Sequence, residues 1–101
     1  MIVDITDRGV TLVDPDDLRR FHSRVPAGAT DDAVDAVLAR TGAGHRVGAD
    51  QVAVTVAWLR ASASGVDGNW ERSFQQMLDF AGTKGWLTDD GGAVLAHIER
   101  D

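Results

Sequence analysis

The chain has 101 residues, 44% of them apolar, with 10 Lys plus Arg against 16 Asp plus Glu and a formal charge of −6. That length suits one domain, and the absence of cysteine excludes disulfide scaffolds, zinc ribbons and thiol chemistry. The longest mostly apolar run, Val52 to Leu59, falls far short of the roughly 20 residues of a membrane span.

Ile2–Ile5 and Val10–Val13 read as two short strands of a hairpin around Asp7-Arg8-Gly9. Asp14-Pro15-Asp16-Asp17 reads as the start of a short helix. Asp14 would cap free N–H groups, Pro15 suits the first helical position, and two carboxylates would sit at the positive end of the dipole. Phe21-His22-Ser23-Arg24-Val25 alternates as a strand before Pro26.

A helix is expected over 31–41. Thr30 offers the N-cap, Asp31 and Asp32 the first turn, Val34, Val37 and Leu38 the apolar stripe, and Gly42 the stop. Arg46-Val47 and Gln51–Thr55 form a second hairpin around Gly48-Ala49-Asp50. From Val52 to Leu59 two periods compete. The β-branched start favours a strand to 55, with Thr55 capping a helix from 56 to Ala63; a single helix capped by Asp50 is the alternative.

Ser64-Gly65-Val66-Asp67-Gly68 is a turn. Helix 69–84 follows, with Trp70, Phe74, Met77, Leu78 and Ala81 along one face and Arg72, Gln75, Gln76 and Asp79 opposite. Asn69 is its expected cap and Gly85 its stop. Trp86-Leu87-Thr88 and Ala93–Ile98, around Asp89-Asp90-Gly91-Gly92, predict a terminal hairpin, with a helix capped by Asp90 as the alternative. The expected fold is a single α+β domain over 1–101. Short antiparallel strands would be packed by helices 31–41 and 69–84.

The negative charge is even: 9 acids and 6 bases in residues 1–50, 7 acids and 4 bases in 51–101. No basic face emerges, so duplex DNA and anionic membranes are poor partners. The alternating start Met1-Ile2-Val3-Asp4-Ile5 lacks a secretory pattern, and a cytoplasmic location is expected.

His22, His45 and His97 fall in three segments without metal-ligand spacing, so no metal or other cofactor is expected. His22 is the weak catalytic candidate, an acid–base group beside the cation Arg24 on a sheet surface. The plainer reading is a strand with one solvent face. Phe21–Val25 followed by a helix resembles the first unit of dimeric ferredoxin-like barrels such as the muconolactone isomerase relatives. That likeness covers about twenty residues and implies an isomerase-like site at His22; the remaining strands and helices are not expected to continue the pattern. The serines lack a nucleophile elbow, and neither glycine cluster has phosphate-loop spacing.

Helix 69–84 with its hairpin has the order of a winged helix. Glu71, Asp79, Asp89 and Asp90 against Arg72 and Lys84 argue against DNA contact. Trp58, Phe80 and Trp86 are the interface candidates, since Trp is enriched at hot spots and Phe80 lies at the edge of the helix stripe; closure of a small core is the competing explanation. Lys84-Gly85-Trp86-Leu87 and Ala96-His97-Ile98-Glu99 are similar to short uncharacterised proteins of high-GC actinobacteria, a likeness that implies no activity.

The expected role is a non-catalytic protein-interaction or accessory module, with self-association or a protein partner. The rival is a small-molecule-binding or isomerase-like enzyme using His22. A winged-helix module comes third.

Overall fold

Among the described residues, nine elements follow one another: β1 (Ile2–Thr6), β2 (Gly9–Val13), β3 (His22–Val25), α1 (Asp31–Thr41), β4 (Gly44–Val47), β5 (Gln51–Thr55), α2 (Val56–Ser62), α3 (Gly68–Thr83) and β6 (Ala93–Arg100). The computed structural model describes residues 1–63 and 68–100. Its strands join in one six-stranded sheet of order β2-β1-β3-β6-β5-β4. The fold is α+β, and among the described residues no helix is long and apolar enough to cross a membrane.

Local chemistry sets most boundaries. The Thr30 hydroxyl accepts from the Ala33 N–H at 3.1 Å, and Gly42, at φ +73°, donates its N–H to the Leu38 carbonyl, so α1 starts and stops where its caps dictate. Thr55 ends β5 and opens α2 by accepting the Trp58 N–H at 3.2 Å. The competing periods of Val52–Leu59 thus divide at 55/56, as the β-branched start predicted.

Strand alternation turns Val3, Ile5, Val25, Val52, Val54, Val94, Ala96 and Ile98 into one buried cluster. Val34, Val37 and Leu38 of α1, Leu59 of α2, and Trp70, Phe74, Leu78 and Ala81 of α3 complete it. Trp70 and Phe74 stack at 4.7 Å within it. Asp4, His22, Arg24, His97 and Glu99 alternate to the opposite face.

Four expectations are corrected. First, residues 14–20 form turns, not a helix. Asp14 has φ +50°, whereas an N-cap is extended, and nearby carbonyls are used elsewhere. The Trp70 indole donates to the Pro15 carbonyl, and the Met1 ammonium donates to the Asp17 and Arg20 carbonyls.

Second, the sheet is mixed: β3 runs parallel to both β1 and β6. Third, Asn69 lies inside α3 rather than capping it; the expected turn at Ser64–Asp67 lies outside the described residues. Fourth, β6 is no wing, because it sits between β3 and β5 in the interior of the sheet. Its hairpin partner is reduced to a single bridge, Leu87 to Val94.

Candidate functional site

α3 carries two stripes. Trp70, Phe74, Leu78 and Ala81 are buried, while Ser73, Gln76 and Phe80 are exposed and Met77 is half-buried between the two sets. After Thr83 the chain reverses through Gly85 at φ +75°, a left-handed conformation suited to glycine. The reversal brings the Trp86 N–H to the Ala81 carbonyl at 2.9 Å, while the Leu95 N–H donates to the Trp86 carbonyl at 2.7 Å. Trp86 is thereby fixed between helix and strand, with its ring 5.9 Å from that of Phe80 in an edge-to-face contact.

Both rings remain accessible, Phe80 at 55% and Trp86 at 44%. The Lys84 ammonium stands 5.5 Å from the centre of the Phe80 ring.

Beside this pair lies a recess of about 440 Å³. It occurs where β6 changes partner: Leu95 bonds to Trp86, but three residues on Ile98 pairs with Ser23 of β3. Leu18, Phe21 and Met77 give it apolar walls, and Gln51 and His97 give it a polar side. A second recess shares Leu18, Arg19, Met77 and Phe80 with the first, and is bounded by Asp16, Asp17, Ser73 and Gln76.

The 14–20 segment that forms one wall is tethered by the Met1 ammonium and Trp70. Burial pushes the ammonium below its ordinary pKa of 8.0, against the opposing pull of Asp17 and Asp14.

His22 is not among the residues lining this recess; His97 is. The His22 imidazole is 3.4 Å from Glu99, and the cation expected beside it, Arg24, is paired with Asp4 at 3.2 Å. Register explains the arrangement. Ser23 is opposite Ile98 and Arg24 opposite Glu99, so the parallel pairing brings His22 within reach of Glu99. This grouping was not readable from the sequence, because it needs the parallel pairing of strands that are 74 positions apart at Ser23 and His97.

Among the described residues, no group of three or more His, Cys, Asp or Glu could hold a metal ion. Trp58 is half-buried against the core. Phe80 and Trp86 are therefore the sequence-derived candidates that share one exposed surface.

No family model, curated protein or solved structure matches the chain.

Proposed function

We propose that this is a non-catalytic, cytoplasmic protein-interaction module whose contact surface is the Phe80–Trp86 rim and the recess behind it. One observation carries the reading: two exposed aromatic rings in mutual contact border an apolar recess of about 440 Å³. Large aromatics set against a pocket are the usual anchors of protein contacts.

The magnitude fits a modest interface. Full burial of the exposed parts of the two rings removes about 200 Å² from water, worth about 5 kcal/mol. Association costs on the order of 4–15 kcal/mol, so Leu18, Phe21 and Met77 must join the contact.

A second reading is favoured by a separate observation. His97 and Gln51 give the recess a polar side, and its volume lies within the range of about 300–1,000 Å³ typical of small-molecule sites. In that reading the acid–base group would be His97, not His22.

Photo-crosslinking tests the interaction reading, with benzoylphenylalanine placed at Trp86 and, as a control, at Val47, an exposed residue of β4. The reading expects a discrete adduct from position 86, to a second copy or another protein. That protein, purified, should bind the unmodified chain and lose affinity with Phe80→Ser. An adduct pattern equal to the control, or binding indifferent to Phe80, would overturn it.

A further inference from the structure

We infer that the partner at this rim is a second copy of the same chain, with the two α3 helices antiparallel across a two-fold axis. The inference rests on the interaction reading and names its partner. A two-fold contact requires a patch that complements itself. Here protrusion and recess lie side by side, since Phe80 lines both recesses while more than half exposed.

Charge supplies the orientation. The outward stripe of α3 runs from Ser73 through Gln76 and Met77 to Phe80, with Lys84 just beyond the helix. The Trp70 indole holds the Pro15 carbonyl, which puts Asp16 and Asp17 beside the first half of the stripe, and the Lys84 ammonium stands over Phe80 near its other end. About 10 Å of helix separates Ser73 from Phe80 at 1.5 Å per residue. A two-fold axis beside Gln76 and Met77, midway between these ends, lays the Lys84 end of each copy on the acidic end of the other. Arg19, on the wall shared by both recesses, is a second cation at this surface.

A uniformly basic partner would meet Arg19 and Lys84. A uniformly acidic one would meet Asp16, Asp17 and a chain of net charge −6. The same chain reversed meets neither obstacle.

Sedimentation equilibrium over about 1 μM to 1 mM tests this. The unmodified chain should form a dimer, and Phe80→Ser should weaken it at least about 30-fold without changing the circular dichroism spectrum. Asp16→Lys and Lys84→Glu, each alone, should weaken it at least about fivefold, and a 1:1 mixture of the two should regain the affinity. A monomer throughout, a dimer indifferent to Phe80, or a mixture that regains nothing would overturn the inference. If the chain is monomeric yet position 86 still forms a Phe80-dependent adduct with a different protein, the second copy is excluded and the interaction reading stands. Loss of both results removes both.

Discussion

The indole N–H of Trp70 donates to the backbone carbonyl of Pro15 at 2.7 Å, joining α3 to a segment 55 positions earlier in the chain. Pro15 heads the turns that carry Leu18 and Arg19 to the recess. The bond therefore helps hold one wall of the candidate site against the helix that forms the other. Trp70→Phe removes the donor and keeps an aromatic ring to stack on Phe74. A loss of about 1–2 kcal/mol is expected in urea unfolding, with faster amide exchange over residues 16–20. Unchanged exchange there would show that the segment is held by other contacts.

Phe74 and Phe80 lie six positions apart on α3 and should behave oppositely. Phe74 has no exposed surface, so Phe74→Ala should cost about 3–5 kcal/mol through a cavity in the core. Phe80 is more than half exposed, so Phe80→Ser should cost no more than about 1–2 kcal/mol, chiefly the edge-to-face contact with Trp86, at dilutions where association is negligible. Thermal or urea unfolding of the two variants checks the contrast.

Gly44 tests how closely β4 approaches β5. A Cβ at this position would lie 2.0 Å from the Ala53 carbonyl oxygen, at φ +158°. Backbone cannot yield as a flexible side chain can, so Gly44→Ala must shift the strand. A loss of about 2–3 kcal/mol is expected, accompanied by weakened protection of the β4–β5 amides. Stability equal to that of the unmodified chain would mean that β4 moves freely.

Asp90 organises the turn before β6. Its carboxylate accepts the Gly92 N–H and the Thr88 hydroxyl, each at 2.8 Å. The Gly92 bond first, then that of Thr88, holds its pKa below the ordinary 3.8. A carboxyl whose pKa falls on folding contributes stability that is present above the unfolded value and lost as pH drops through the folded one. The Asp90 carboxyl should titrate below 3.8 by NMR, and acid should destabilise the unmodified chain more than Asp90→Asn. A titration midpoint at or above 3.8 would contradict the bonding described.

Several elements were legible because their causes are local. Thr30 and Gly42 bracket α1 through their own side chain and backbone, and the divide at Thr55 follows from β-branching before it and a hydroxyl cap at it. The inward face of α3 follows from the recurrence of Trp70, Phe74, Leu78 and Ala81. That period put Phe80 at the edge of the stripe, and the fold decided that it is exposed.

Other features depend on partners distant in sequence. The helix expected after Asp14 fails because the Met1 ammonium and the Trp70 indole take carbonyls from this segment, which no local window reveals. The parallel pairing of β3 with β6 brings His22 to Glu99, and opens the recess where β6 exchanges Trp86 for β3. Caps and periodicity act within one or two turns of chain, so the amino-acid order alone specified α1, the buried stripe of α3 and the first two hairpins. Strand order and register depend on which distant edges satisfy one another's hydrogen bonds and bury a common face. Only the folded molecule settled those, and with them the recess behind the aromatic rim.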